Sequence, residues 1–182
     1  MKILVVVDYQ NDFINGALGF EGADNIDKGI AEKVRKFAAE NDTNVVLGTL
    51  DTHNSDYLST REGIALPVEH CIEGTKGYEV YGETAKALKE VNAVMLKKTT
   101  FGISPEQMNL LGDGIGSDRV ESVELVGLVT NMCVISNAVA FQARFPWAQI
   151  IVDASLCDSF DKVLHNKALD VMEGMQIKVI NR

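Results

Sequence analysis

The chain has 182 residues, 46% of them hydrophobic and 24% charged, with a formal net charge of −9. This size and composition suit one domain, residues 1–182, with a sizeable buried core. The negative charge disfavours nucleic acid and anionic membrane surfaces as partners, and no apolar run approaches the roughly 20 residues of a membrane-spanning helix.

The first predicted element is a strand over 3–7, which meets Asp8 at once and so does not read as a signal peptide. A helix follows over 25–40, with Ile26, Ile30, Val34 and Phe37 on one face. A strand over 44–50 comes next. Residues 51–81 then carry no clear periodicity, and so long an irregular stretch inside a domain is usually functional. A helix over 82–90, strands over 93–96 and 123–128, a helix over 131–144, a strand over 149–152, a helix over 162–174 and a strand over 177–180 complete the chain. The strands are nearly continuous in apolar character, as expected when both faces are buried. Strand and helix in alternation predict an α/β fold, a three-layer α-β-α arrangement with a mostly parallel, roughly six-stranded sheet.

In such sheets ligands bind beyond the carboxyl ends of the strands, and the titratable residues fall there. Asp8 ends the first strand, Asp51 and His53 follow the second, Lys97 and Lys98 follow the third, and Cys133 follows the fourth. Cys133 is predicted in the first turn of a helix, where the dipole favours the reactive thiolate. Burying an acid, a base and a thiol together is costly without a purpose. Three scattered cysteines, Cys71, Cys133 and Cys157, argue against a disulfide framework and point to a reducing, cytoplasmic setting. Cys71 and Cys157 are read as packing residues, and His165 as an exposed helix residue without a role.

Three segments together are identified with the isochorismatase-like cysteine hydrolases of the nicotinamidase type. Val7-Asp8-Tyr9-Gln10-Asn11-Asp12-Phe13 resembles the family's first motif. Lys98-Thr99-Thr100-Phe101-Gly102 resembles its lysine motif, with Thr99 where proline is common. Gly127-Leu128-Val129-Thr130-Asn131-Met132-Cys133-Val134 resembles its nucleophile motif. The resemblance implies Asp8, Lys98 and Cys133 as catalytic residues acting on a small-molecule amide. It implies a cis peptide at Leu128-Val129, with the backbone N–H groups of Val129 and Cys133 holding the oxyanion. Phe13 and Phe101 would pack against the substrate ring. Isochorismatases proper lack the cysteine, so Cys133 argues against that activity. Members are commonly dimers or tetramers, and Phe145-Pro146-Trp147 is a candidate exposed interface patch of such a homo-oligomer.

The resemblance also implies one divalent metal ion, zinc being expected and iron or manganese also suiting a mixed nitrogen and oxygen set. Asp51 and His53 match the family's Asp-x-His pair, and His70 its later histidine, in His70-Cys71-Ile72-Glu73-Gly74-Thr75. Many members supply another histidine between them. Here Glu62 is the expected replacement, with Asp56 as its rival. Leu66-Pro67-Val68 stands where nicotinamidases often carry an aromatic residue, which puts the ring-binding wall in question more than amide hydrolysis.

Overall fold

Six strands, β1 (Lys2–Val7), β2 (Val45–Asp51), β3 (Val94–Lys98), β4 (Ser122–Leu128), β5 (Gln149–Asp158) and β6 (Lys178–Ile180), form a sheet in the order β3-β2-β1-β4-β5-β6. All of its pairings are parallel. The computed structural model describes residues 1–116 and 119–182. The helices are α1 (Asn11–Ile14), α2 (Asp27–Glu40), α3 (Arg61–Ala65), α4 (Gly82–Glu90), α5 (Pro105–Ile115), α6 (Ile135–Arg144) and α7 (Lys162–Gly174).

The two-residue period of β1 divides the core. Ile3, Val5 and Val7 pack with Met108 of α5, Phe141 of α6 and Leu169 and Met172 of α7. Leu4 and Val6 point the other way, onto Ile30, Val34 and Phe37 of α2 and Ala87 and Leu88 of α4. The result is the expected three-layer fold, with β1, β2 and β4 buried on both faces and the edge strands β3 and β6 partly exposed.

Several local features differ from the sequence reading. Helix α5 was not expected, because two glycines dilute its apolar pattern. It is nevertheless capped by Ser104, whose side chain accepts from Gln107 N while the Gln107 side chain bonds back, with Pro105 following at the first position. Strand β5 runs on to Asp158, and α6 begins only at Ile135, after a wide turn over Thr130–Val134. Phe145 is fully buried, so the expected interface patch is reduced to the exposed Pro146 and Trp147, the latter 87% exposed. Among the described residues no helix is long and apolar enough to cross a membrane.

One ion cluster ties α2 to the sheet. Asp153 of β5 is buried, and its Oδ2 lies 2.7 Å from Lys33 Nζ of α2. Its Oδ1 accepts from Ser155 Oγ at 2.7 Å and from Asn181 Nδ2 at 3.1 Å. Burial works against this carboxylate, but Lys33, Ser155 and Asn181 outweigh it and hold its pKa below the ordinary value. Asp153→Asn is therefore expected to lower stability by about 2 kcal/mol at neutral pH. A depressed carboxylate pKa gives stability that is complete above the unfolded value of about 3.9 and is lost as pH falls through the folded value. Denaturant titrations of the two proteins should thus diverge at neutral pH and converge at acid pH.

Candidate active site

The strand order reverses between β1 and β4, which opens the crevice in which open α/β sheets bind ligands. Asp8 leaves the end of β1 and the Thr130–Val134 turn leaves the end of β4. Val7 pairs with Gly127 in this register. Gly127 has φ of 116°, and a Cβ there would stand 2.2 Å from the Val7 carbonyl oxygen. Only glycine lets the two strand ends close to this distance. The Leu128-Val129 peptide bond is cis, as the resemblance implies, and Asp8 itself has φ of 43°.

Lys98 is brought in by register. It ends β3 opposite Asp51, the last residue of β2, whereas Lys97 pairs with Leu50 and points out to an ion pair with Glu73. The Lys98 side chain is fully buried. Its Nζ lies 2.6 Å from Asp8 Oδ2 and 3.2 Å from Asp51 Oδ1, donates to Thr100 O at 3.0 Å, and reaches Cys133 Sγ at 3.7 Å. Burial disfavours the charge, but Asp8, Cys133 and Asp51 more than offset it and hold Lys98 protonated.

Asp8 is raised above the ordinary carboxylate value by burial, with Lys98 opposing. Its Oδ1 accepts from Thr49 Oγ1 at 2.6 Å. Oδ2, though close to Lys98, has no hydrogen bond of good geometry among the described residues. This oxygen is thus held by charge from Lys98 and keeps a lone pair that can take a proton. Cys133 is buried, and burial followed by the Asp8 charge pushes its thiol well above the usual range, against the pull of Lys98. The sequence expectation of a thiolate favoured by a helix start is corrected here. Burial and the neighbouring Asp8 charge favour the thiol form, which sits beside a base.

Asp51, His53, Glu62 and His70 converge, with one donor atom of each within 4.8 Å of all the others. Asp51 Oδ2 lies 3.1 Å from His53 Nε2 and 3.3 Å from His70 Nε2, and Glu62 Oε1 lies 3.8 Å from both. Donors about 2.0–2.2 Å from a tetrahedral ion stand roughly 3.3–3.6 Å apart, so two imidazoles and two carboxylates at these spacings fit a divalent ion. His70 Nδ1 bonds Val68 O at 2.8 Å, which aims Nε2 inward. Tyr57 packs against both imidazole rings. Glu62, carried by α3, joins the cluster. Asp56 is exposed and stands outside it. Burial works against the Asp51 charge, but the two histidines and Lys98 hold it ionised.

A cavity of about 600 Å³ reaches Cys133, Val129, Asp51, Glu62 and His70, with mainly apolar walls from Phe13, Leu18, Leu66, Phe101, Met132 and Phe160. Phe13 is nearly buried and meets His70 edge-on, while Phe101 is 42% exposed. A second cavity of about 510 Å³ shares Glu62, Ala65 and Phe101 with the first and carries His53, Asp56 and Arg61.

The sequence reading missed the residues that hold this site in place. Gln10 donates to Asp51 O and accepts from Asp51 N, both bonds within 2.9 Å. Asn137, buried in α6, donates to Cys133 O at 2.8 Å and to Phe101 O at 3.1 Å. Gln10 lies inside a segment already singled out. Asn137 offered no signal beyond one polar residue on an apolar helix face. His165 is half-buried rather than exposed, with Nδ1 2.8 Å from Thr130 Oγ1. Cys71 and Cys157 are buried and unpaired, as expected of packing residues.

Comparison with known proteins bears on the fold and the family. The isochorismatase domain model matches residues 2–182. Among solved structures, the pyrazinamidase/nicotinamidase of Streptococcus mutans UA159 is 25% identical, with 99% of this chain and 100% of that one covered and a TM-score of 0.85. The nicotinamidase/pyrazinamidase of Bacillus subtilis is 26% identical over 98% of both chains, at a TM-score of 0.84. The pyrazinamidase of Pyrococcus horikoshii, solved in complex with zinc, shares the fold at 24% identity and a TM-score of 0.80, covering 100% of this chain and 99% of that one. A search of curated proteins finds no match. With a family model spanning all but the first residue, and a cysteine at the crevice between β1 and β4, the chain belongs to the isochorismatase-like cysteine hydrolases.

Proposed function

We propose that the protein hydrolyses a small carboxamide to the acid and ammonia, with nicotinamide as substrate, through a thioester on Cys133. The observation that carries this reading is the buried meeting of a thiol, a carboxylate and an ammonium, Cys133, Asp8 and Lys98, beside an apolar cavity that reaches the sulfur.

Asp8 takes the Cys133 proton, and the sulfur attacks the amide carbon. The charge moving onto sulfur is met by Lys98 Nζ at 3.7 Å. Backbone N–H groups of Val129 and Cys133 hold the developing oxyanion, an electrostatic contribution commonly the largest in such reactions. The carbon–nitrogen bond breaks as protonated Asp8 returns its proton to the leaving ammonia. Asp8, again ionised, takes a proton from water, which adds to the thioester carbonyl. The carbon–sulfur bond then breaks, releasing the acid and restoring the thiol. Lys98 stays protonated throughout: Asp51 remains ionised beside it, and while Asp8 carries the proton the charge on the Cys133 sulfur stands in its place.

Asp51, His53, Glu62 and His70 would hold one divalent ion, zinc by preference and iron or manganese otherwise, which would supply a Lewis acid and a coordination point for a ring nitrogen at the cavity edge. Phe13 and Phe101 supply the ring's apolar contacts. A second reading is favoured by Leu66 in the wall and by the cavity's size. In it the substrate is another small amide or carbamoyl compound, handled by the same chemistry.

Ammonia release from nicotinamide by the purified protein is the direct test. Cys133→Ala should reduce turnover to background while the protein stays folded. Turnover in neither wild type nor any metal-restored sample would reject nicotinamide and leave the second reading to a screen of small amides. Asp8→Asn should lower kcat by about 10²–10⁴-fold. The base form of Asp8 is the active one, so wild-type kcat/KM should fall as pH drops through a pKa above the ordinary carboxylate value of 3.8. Chelation should abolish turnover, and zinc, manganese or iron(II) should restore it; full activity in a sample shown to be metal-free would remove the ion from the proposal.

A further inference from the structure

Behind the nucleophile turn runs a short hydrogen-bond chain whose direction follows from proton counting. Thr130 is fully buried, and its Oγ1 lies 3.0 Å from the Asp158 carbonyl oxygen and 2.8 Å from His165 Nδ1. A hydroxyl has one hydrogen to give, and a carbonyl can only accept. The Thr130 hydrogen therefore goes to Asp158 O. The second contact is satisfied only if His165 Nδ1 carries a hydrogen and donates it to Thr130 Oγ1. Burial, with Lys162 and Arg182, lowers the ring's pKa against the pull of Asp158, which suits a neutral imidazole protonated at Nδ1.

The same end of β5 grips the next residue of the turn, since Ser159 Oγ bonds Asn131 Oδ1 at 2.6 Å. His165 sits one turn into α7, whose start is capped by Asp161 accepting from Val163 N and Leu164 N. The turn is thus held by Asn137 of α6 on the Cys133 carbonyl and by α7 and β5 on Thr130 and Asn131.

We propose that His165 is a positioning residue for Cys133. Its Nδ1–H fixes the Thr130 hydroxyl on Asp158 O, which sets the turn and hence the place of Sγ between Asp8 and Lys98. This rests on the reading of Cys133 as the nucleophile.

The test compares His165→Leu, which removes the donor, with His165→Asn, whose amide nitrogen can stand where Nδ1 stands. Kinetics on nicotinamide are run beside hydrogen exchange of the peptide covering 129–134 and thermal unfolding. His165→Leu is expected to lower kcat about tenfold or more with KM within about twofold, and to speed exchange in that peptide. His165→Asn should stay within about threefold of wild type in kcat and keep the exchange slow. A Thr130→Val, His165→Leu double variant should be no worse than Thr130→Val alone, as expected when both act through one bond. If the leucine variant does not fold, His165→Gln replaces it, because its amide cannot reach the Nδ1 position. Unchanged kcat and exchange in the folded leucine variant would overturn the proposal, as would equal damage from asparagine and leucine or additive effects in the double variant. If wild type does not hydrolyse nicotinamide, that rejects only the substrate, and the exchange comparison decides the role of His165 by itself.

Discussion

The site depends on one carboxylate that faces two ways. Asp51 Oδ1 meets the Lys98 ammonium, and Oδ2 meets both histidine Nε2 atoms. Its backbone is clamped by Gln10 on both N–H and C=O. A buried ammonium is tolerable only with its countercharges in place. Lys98 has two carboxylates, and Asp51 is shared with the imidazole cluster. Removing Asp51 would therefore leave the lysine with Asp8 alone and the histidines with only Glu62. The reacting groups and the proposed ion site are one electrostatic unit.

That unit is assembled by backbone register. Parallel pairing of β2 with β3 sets Asp51 against Lys98, and pairing of β1 with β4 sets Val7 against Gly127. A slip of one residue would turn Lys98 to the other face and present Lys97 instead. β3 is an edge strand with Val94 and Met95 exposed, so the pairing of buried Lys98 with Asp8 and Asp51, rather than apolar packing of β3, favours the register that brings this lysine to the thiol. Gly127 adds a steric condition, since the approach of β1 to β4 leaves no room for a Cβ.

The sheet and the strand-end residues were legible because both follow from local pattern. Strands buried on both faces read as β-branched apolar runs, and polar residues at successive strand ends point to the crevice. Glu62 could be preferred over Asp56 from its motif context, and the fold places it on α3 facing the histidines. What escaped was set by tertiary contact. Phe145 beside Pro146 and Trp147 looked like a surface patch, yet its ring stacks on Phe141 inside the core. His165 sits among exposed neighbours on α7, and nothing in its own segment indicates that Thr130 lies against its ring. Asn137 and Thr49 are ordinary polar residues until the segment after β3 and the end of β1 bring Phe101 and Asp8 beside them. The weight given to the helix start at Cys133 changes for the same reason, because burial, which raises the thiol's pKa, is a property of the fold and not of the local sequence.

Helix α3 has a consequence for how this enzyme family can diversify. Glu62 opens the helix and Leu66 closes it, with Leu66 N bonded to Glu62 O at 2.8 Å and Leu66 O accepting from Tyr57, which packs on both histidines. Glu62 and Leu66 both line the cavity that reaches Cys133. A wall of the cavity and the carboxylate that completes the donor cluster are thus two ends of a single short turn. Reshaping the wall by insertion or deletion here would shift a donor atom, so the cavity is most readily altered by exchanging side chains at Leu18 or Phe160, which line it from outside both this turn and the one that carries Cys133.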